Sequence, residues 1–326
     1  MVLQQLISPF ASRAALAVCV GALALSGAAA QEKFPSKTIE VVTHAGVGGG
    51  TDITARMMMV QAPGEFGQEL VVVNKQGGSG AAALGYAASR AKDGHTVMLI
   101  TQTHLLTALQ GKGAGVKLED IVGVARATDD PQILMVGKNS PFKTAKEFID
   151  ASKGKAMKYG TTQVASVDHI AVLGFAKEAG LQAPTVVPFR GGGDVVINLV
   201  GGNIDAALIN FAEAESQIKA GEVRALLVLD RERNASLPEV PTGAEIGVPA
   251  FYSTVRGFAV LKGTPEDRIK TLEDGLVKAM NGKLYQDYIK SSGQSSKSVV
   301  GRAEWQKQLD EFSKSGKEAL AAIGVK

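Results

Sequence analysis

The chain has 326 residues, with 35 Lys and Arg against 32 Asp and Glu, 38 glycines, one cysteine and only 5% aromatic residues. Because the charge is nearly balanced and the basic residues do not cluster, the composition excludes a nucleic-acid-binding surface as the basis of function. A single cysteine excludes a disulfide framework and a cysteine-based metal site. The length is sufficient for a large hydrophobic core and for two lobes.

The first 30 residues predict an export signal. They contain one basic residue, Arg13, and no acidic residue, followed by an apolar run over Ala14–Leu25 and an Ala-x-Ala pattern that ends at Ala30. We therefore interpret residues 1–30 as a signal peptide that is cleaved after Ala30 and carries Cys19 away with it. A membrane anchor is the alternative interpretation, but the apolar run is shorter than the roughly 20 residues that span a bilayer.

Beyond this signal, short β-branched segments alternate with segments of helical periodicity. The predicted strands are residues 39–43, 70–74, 96–101, 133–136, 158–160, 185–188, 206–210, 225–229 and 255–261. The predicted helices are residues 52–61, 81–91, 145–152, 167–179, 194–200, 211–220, 265–281, 283–291 and 302–323. Such alternation is typical of an α/β protein with parallel-rich sheets flanked by helices.

Two β-rich stretches, Val122–Val136 and Tyr252–Leu261, predict crossings between two lobes. If the chain crosses near residue 130 and returns near residue 255, lobe 1 comprises residues 31–130 and 255–326, and lobe 2 comprises residues 131–254. Ligands of α/β proteins lie in the crevice at the carboxyl ends of the strands. The sequence therefore predicts a two-lobed fold with a ligand cleft between the lobes.

The glycine-rich turn HAGVGGGTD, from His44 to Asp52, lies between a predicted strand and a predicted helix. Glycines let the backbone approach a ligand closely, and the first amides of a helix have no intrahelical acceptor, so such a turn is suited to an anion. A purely structural turn, with a cap from Thr51 or Asp52, is the alternative. The turn matches neither the dinucleotide fingerprint nor the P-loop. The candidate ligand-binding residues here are His44, Gly48, Gly49, Gly50, Thr51 and Asp52.

Four further loops and one strand end offer glycine amides or small hydroxyls in NKQGGSG, TQTH, GTTQVAS, FRGGGD and AALIN. Arg190 has the geometry for a bidentate clamp on a carboxylate, with exposure to solvent as the alternative. Asp194 also has a simpler interpretation, as the first-turn acid of the next helix. The candidate ligand-binding residues here are Gly78, Ser79, Thr101, Thr103, His104, Thr161, Thr162, Ser166, Arg190, Gly191, Gly192, Asp194 and Asn210.

No catalytic group is evident from the sequence. Ser79 lies in GGSGA, but Ala81 stands where a nucleophile elbow needs its second glycine. The four histidines do not follow a metal-ligand spacing such as His-x-x-x-His. We therefore predict a protein that is not an enzyme and has no catalytic residue, no metal site and no cofactor.

Several segments together resemble one known family. They are FPSKTIEVV, GGGTDITAR, VVVNKQGGSGAAALGYAASRAKDGHTVML, YGTTQVASVDH, LVGGNIDAALIN, IKAGEVRALLVL and LPEVPTGAEIGVP. From about Phe34 to the C-terminus the chain resembles the substrate-binding proteins of tripartite tricarboxylate transporters, the Bug family. The resemblance implies a two-lobed periplasmic-binding-protein fold, type II-like, located in the periplasm. It also implies capture of a small carboxylate and its presentation to membrane permease subunits.

The resemblance further implies how the ligand is held. The family's pocket loops correspond to the glycine- and hydroxyl-rich loops given above, and backbone amides and water hold the carboxylate more than an arginine clamp does. The chain departs from the family at His44, where prolines are common nearby, at Phe189–Arg190, where tyrosine and lysine are common, and at Asn210, where an acid is common. An added histidine and arginine favour a more anionic ligand.

The leading hypothesis is a monomeric periplasmic solute-binding protein for a di- or tricarboxylate or an aromatic acid, with a membrane permease as partner and no nucleic-acid partner. A ligand-sensing protein that signals to a membrane receptor is an alternative, because the fold is the same. An exported serine hydrolase that uses Ser79 is the third hypothesis. Neighbouring genes for a permease or for a sensor kinase would distinguish transport from sensing.

Overall fold

The computed structural model describes residues 33–294 and 296–322, so the predicted signal peptide, residues 1–30, lies outside the described residues. The strands are β1 (Ile39–Thr43), β2 (Leu70–Asn74), β3 (Thr96–Thr101), β4 (Ile121–Gly137), β5 (Lys158–Thr161), β6 (Thr185–Pro188), β7 (Ala206–Asn210), β8 (Val223–Val228) and β9 (Ser253–Leu261). The α-helices are α1 (Gly50–Met59), α2 (Ala62–Phe66), α3 (Ala81–Ala88), α4 (Gln102–Leu109), α5 (Ala145–Gly154), α6 (Val167–Glu178), α7 (Gly192–Val200), α8 (Phe211–Lys219), α9 (Glu266–Met280), α10 (Lys283–Ser291) and α11 (Arg302–Ala322).

These strands form one mixed sheet in the order β2-β1-β3-β9-β4-β7-β5-β6, and β8 pairs with β4 beside this path. The parallel pairs expected from the strand–helix alternation lie on either side of the centre: β1 with β2 and β3, and β5 with β6 and β7. At the centre, β4 and β9 pair antiparallel with each other and with their neighbours. The protein is thus an α/β fold with helices flanking a mixed sheet.

The long strand β4 changes partners along its length. Its first part, through Pro131, pairs with β9, and from Gln132 onward it pairs with β7, while β8 joins at Ile133. Pro131 has no N–H to donate, and it lies at the last residue of the β9 register. The strand therefore runs continuously from one group of parallel strands to the other.

Hydrophobic clusters cover both faces of each half of the sheet. In β4, Leu134 and Val136 belong to one cluster and Ile133 and Met135 to another, as the two-residue period of a strand requires. In the first half, the β1 residues Ile39 and Val41 pack with α1, α9 and α10, whereas Val42 packs with α3 and α11. Each half therefore has its own core.

Among the described residues, no helix combines the length and the apolar character needed to cross a membrane.

Candidate functional site

A cavity of about 40 Å³ lies where the loops after β1, β3, β5, β6 and β7 meet, at the carboxyl ends of the parallel strands. This space holds roughly three water molecules. Its lining residues come from both halves of the sheet. They are His44, Ala45, Gly49, Gly50, Thr51, Thr101, Thr103, Thr162, Gln163, Val167, Asp168, Arg190, Gly191, Gly192, Asn210, Glu213, Thr254 and Arg256.

Many of the residues predicted from sequence meet at this cavity. The first loop, HAGVGGGTD, and the fifth, FRGGGD, both contribute. The predicted residues in the lining are His44, Gly49, Gly50, Thr51, Thr101, Thr103, Thr162, Arg190, Gly191, Gly192 and Asn210. Arg190 is exposed at the edge of the cavity.

The first loop contributes two predicted residues that are not in the lining. Gly48 is exposed, adopts φ +81°, and donates its N–H to Asp52 Oδ2 at 2.9 Å. Asp52 is 1% exposed and also accepts hydrogen bonds from Arg56 and Asn74. Burial opposes ionisation of Asp52, but these hydrogen bonds together lower the pKa of its carboxyl. Asp52 therefore stabilises the conformation of the loop without lining the cavity.

The second and third loops contribute three more such residues. In the NKQGGSG turn Gly78 is exposed, and Ser79 Oγ donates to the carbonyl oxygen of Val164 at 2.8 Å. Because this hydroxyl is hydrogen bonded to a carbonyl oxygen, the structure gives no support to Ser79 as a nucleophile. His104 is 1% exposed, and its Nδ1 accepts the N–H of Thr101 at 3.1 Å.

The fourth loop, GTTQVAS, and the fifth, FRGGGD, contribute the last three. Thr161 is fully buried at the end of β5. Ser166 is the N-cap of α6, and its hydroxyl accepts the N–H of His169 at 3.2 Å. Asp194 is an exposed first-turn acid of α7, as its alternative interpretation states. All three residues support the loops that reach the cavity without lining it.

The helices α1 and α7 both begin at the cavity, and both have a glycine as N-cap. Neither Gly49 nor Gly191 supplies a side-chain cap. By contrast, Thr101, Thr144 and Ser166 cap their helices with hydroxyl oxygens. The first amides of α1 and α7 therefore take an acceptor from elsewhere in the protein or from a ligand, and the helix dipoles make that acceptor preferably an anion. In the structure, the Gly50 N–H donates to Glu213 Oε1 at 3.1 Å.

The guanidinium of Arg256 lies beneath the cavity. It is 2% exposed, with Nη1 donating to Asp130 Oδ2 at 2.8 Å and Nη2 donating to Asn210 Oδ1 at 2.7 Å. Burial raises the pKa of Asp130, and Arg256 opposes that rise. Nε of Arg256 and Oδ1 of Asp130 are buried without a hydrogen-bond partner within the described part of the chain. The site thus contains a buried cation with unused hydrogen-bonding capacity.

Asp168, at the start of α6, is an acidic group in the lining itself. Its Oδ1 accepts from Gln132 Nε2 at 2.8 Å, and its Oδ2 accepts from the amide and hydroxyl of Thr162. Burial raises the pKa of Asp168, whereas its hydrogen bonds to Thr162 and Gln132 lower it. Gln132 also donates to Thr254 Oγ1 at 2.7 Å, so Thr162, Asp168, Gln132 and Thr254 are joined by hydrogen bonds.

His44 and His104 stack edge to face with their ring centroids 4.2 Å apart. Burial, with a smaller contribution from Arg256, lowers the pKa of His44 to about 4. Burial and the neighbouring His44 lower the pKa of His104 well below its usual value. His44 is therefore neutral near pH 7, and the expectation that it adds positive charge to the ligand site is not supported. Its Nδ1 is buried without a hydrogen-bond partner among the described residues.

Sequence reasoning missed Glu213 and Arg256, two charged residues of the lining. Glu213 is at the third position of α8, after the strand AALIN, where an acid has the ordinary role of a helix-capping box. Arg256 lies two residues after Thr254 on β9, so the two side chains project to the same face of the strand. An arginine inside a strand that is otherwise mostly apolar was the available signal. Ala45, Gln163, Val167, Asp168 and Thr254 were also missed.

Across the residues that the structure describes, no group of three or more His, Cys, Asp or Glu side chains is arranged to hold a metal ion.

Comparison with known proteins identifies the class. The family described as the tripartite tricarboxylate transporter family receptor matches residues 54–317. BugT of Bordetella pertussis is 26% identical over 287 residues, which cover 86% of this chain and 87% of that protein. A solved periplasmic transporter is 28% identical, with a TM-score of 0.83 and coverage of 90% of this chain and 99% of that one.

A further solved structure, MatC of Rhodopseudomonas palustris with bound malate, is 25% identical with a TM-score of 0.75, and the match covers 88% of this chain and 98% of that one. The fold and the cleft at the strand ends are those of a periplasmic solute-binding protein. The chain belongs to the tripartite tricarboxylate transporter receptor family. Members of this family are binding proteins and not enzymes, so the serine hydrolase hypothesis is not favoured.

Proposed function

We propose that this protein binds a small organic carboxylate, a di- or tricarboxylate or an aromatic acid, in the cavity between α1 and α7. The observation that carries the proposal is the convergence of two glycine-capped helix N-termini on one cavity. A charge-assisted hydrogen bond from each amide contributes about 1.5–3 kcal/mol, and each helix dipole adds roughly 0.3–1 kcal/mol. The malate bound by the related MatC supports the same ligand class.

The proposed site residues fall into two groups. The amides and hydroxyls of the glycine loops bind the carboxylate, while Arg256 supplies positive charge from below and Arg190 from the edge. We propose that the predicted residues outside the lining act by shaping these loops. Arg256 is an addition to the set proposed from sequence.

We further propose the setting in which this binding operates. Residues 1–30 direct export and are cleaved after Ala30, and the mature protein acts in the periplasm as a monomer. Lobe 1, residues 31–130 and 255–326, and lobe 2, residues 131–254, close over the ligand by bending at β4 and β9. The loaded protein delivers its ligand to permease subunits in the membrane. A sensing role uses the same fold, and neighbouring genes distinguish it from transport.

Titration calorimetry tests the ligand class. The panel contains C4 to C6 dicarboxylates, a tricarboxylate, an aromatic acid and, as an uncharged control, the diamide of one dicarboxylate. We expect at least one carboxylate to bind with a Kd of order micromolar, and the diamide not to bind. The absence of any carboxylate binding below millimolar concentration would contradict the proposal.

A matched pair of variants tests the location. An ideal Cβ on Gly192 would lie 2.3 Å from Glu213 Cδ, whereas a Cβ on the neighbouring Gly193 meets nothing within 4 Å. We expect Gly192→Ala to weaken binding at least ten-fold, because its methyl group fills the space that a carboxylate needs. Gly193→Ala should leave the Kd unchanged. Equal effects of the two substitutions would place the ligand elsewhere.

A further inference from the structure

Glu213 crosses the cleft from the second half of the molecule to the first. Its Oε1 accepts the N–H of Gly50, 163 positions away in sequence, at 3.1 Å. Its Oε2 accepts the N–H of Asn210 at 3.3 Å. Because a Cβ on Gly192 would lie 2.3 Å from Oε1 of Glu213, the same carboxylate also packs against the first residue of α7. One side chain of the protein thus fills the point where the two glycine-capped helices converge.

Some neighbours of Glu213 stabilise its negative charge, whereas burial and a nearby acid destabilise it. Burial, followed by the charge of Asp168, raises the pKa of Glu213, while Arg256 and the amides of Gly50 and Asn210 lower it. The guanidinium of Arg256 is already hydrogen bonded to Asp130 and Asn210. Glu213 is therefore held chiefly by backbone N–H groups, which are also the donors that bind a ligand carboxylate in the proposed site. When the Glu213 carboxylate moves away from these amides, water can hydrate its charge again.

Two neutral hydrogen bonds accompany Glu213 across the cleft. Ser79 Oγ donates to the carbonyl oxygen of Val164 at 2.8 Å, and the N–H of Val167 donates to Thr103 Oγ1 at 3.3 Å. Both bonds lie between the same two halves that Glu213 joins. The cavity that remains beside them is about 40 Å³, so a bound dicarboxylate needs the space that the Glu213 carboxylate fills.

We propose that Glu213 is an internal competitor of the ligand: its carboxylate binds the Gly50 amide in the free protein, and the ligand carboxylate displaces it. The inference rests on the proposed function, because it assigns the same helix ends to the ligand. Displacement raises the Kd of every carboxylate by the same factor. Only ligands that make further contacts in the cleft, such as those with a second carboxylate, then bind tightly.

Substitution of Glu213 tests this competition. Glu213→Gln preserves the shape of the side chain and its helix-capping role but removes the charge. We expect the Kd of a dicarboxylate and of the matched monocarboxylate, measured by calorimetry, to fall by the same factor of at least five. Glu215→Gln, an exposed change on the same helix, should leave both values unchanged. An unchanged or higher Kd in Glu213→Gln, or unequal factors for the two ligands, would overturn the proposal, because Glu213 would then be neutral or a direct contact of the ligand.

A second measurement needs no ligand. Spin labels at Val60→Cys and Ile197→Cys, both exposed and in opposite halves, report the separation of the halves by electron–electron resonance in protein that begins after Ala30 and so lacks Cys19. We expect ligand-free Glu213→Ala to show a longer distance than ligand-free protein with Glu213. Equal distances would overturn the proposal. If no carboxylate binds either protein, the proposed function fails, while this distance still decides the role of Glu213.

Discussion

At the scale of single residues, the site depends on charges that lie inside the protein and not on its surface. Arg256 and Asp130 are each 2% exposed and joined at 2.8 Å. Removing one partner of a buried pair leaves the other uncompensated, which costs about 3–5 kcal/mol. The surface pair Arg233 and Glu245 is, by contrast, hydrated, so solvent screens its attraction. Breaking the buried pair should therefore destabilise the protein far more than breaking the surface pair.

Arg256→Met should lower the free energy of unfolding by about 3–5 kcal/mol, because Asp130 and Asn210 lose their shared donor. Arg233→Met, the matched surface change, should have a much smaller effect on the free energy of unfolding. Urea denaturation at pH 7 measures both. Similar losses in the two variants would show that the buried pair has no special role in stability.

His44 links stability to pH. Its pKa falls from an ordinary 6.5 to about 4 in the folded protein, so below pH 6.5 the unfolded chain binds the proton more readily. Stability from this residue is complete above pH 6.5 and is lost as the pH falls toward 4, by on the order of 3 kcal/mol. We expect His44→Asn to lose less stability than the wild type between pH 7 and pH 4 in urea denaturation. Parallel losses would contradict this assignment.

At the scale of secondary structure elements, the turn NKQGGSG places consecutive residues in the left-handed region. Gly77, Gly78 and Gly80 adopt φ values of +124°, +58° and +98°, and Ser79 adopts +52° between them. Glycine tolerates this region, whereas any side chain is strained there. The turn brings Ser79 to Val164 of the other half, so its conformation bears on closure as well as on folding.

The turn provides a test of strain. Ser79→Gly and Ser79→Ala both remove the hydrogen bond to Val164, but only alanine keeps a Cβ at φ +52°. We expect the glycine variant to be more stable than the alanine variant by about 1 kcal/mol in thermal unfolding. An alanine variant of equal or greater stability would show that the turn relaxes without cost.

The elements that sequence reasoning predicted well are those with a clear period. The predicted strand at residues 39–43 and the predicted helix at residues 283–291 have the observed bounds. The first half of β4 was predicted as part of a β-rich crossing, Val122–Val136, but only residues 133–136 were given as a strand, because Arg126, Asp129 and Asp130 interrupt the apolar pattern. Helix α4 was interpreted as a loop because TQTH looks polar, yet Thr101 and His104 form its capping box.

The site was predictable only where local sequence defines it. Glycine-rich strand-to-helix turns are visible as such, and the first and fifth loops, HAGVGGGTD and FRGGGD, do converge on the cavity. The contact between Gly50 and Glu213 joins residues 163 positions apart, so no local pattern predicts it. The helices α1 and α7 begin two residues earlier than predicted, because their glycines were interpreted as loop and not as the first helical turn.

At the scale of the whole molecule, two separately packed halves share the continuous strands β4 and β9. Because each half has its own hydrophobic core, relative motion need not disturb either core. Polar contacts between the halves lie around the cavity, where Glu213, Ser79 and Thr103 participate, and also at α10, where Asn234 and Ser236 donate to the carbonyl oxygens of Ser292 and Ser291. This arrangement suits a protein that opens and closes around a solute.

The most direct test of the central claim is a backbone amide NMR titration of the ¹⁵N-labelled protein with a dicarboxylate. The account predicts that the amide resonances of Gly50, Thr51 and Gly192 shift most, because these N–H groups line the cavity at the two helix ends. Saturating binding that leaves those three resonances unmoved, with the largest shifts elsewhere in the protein, would contradict it.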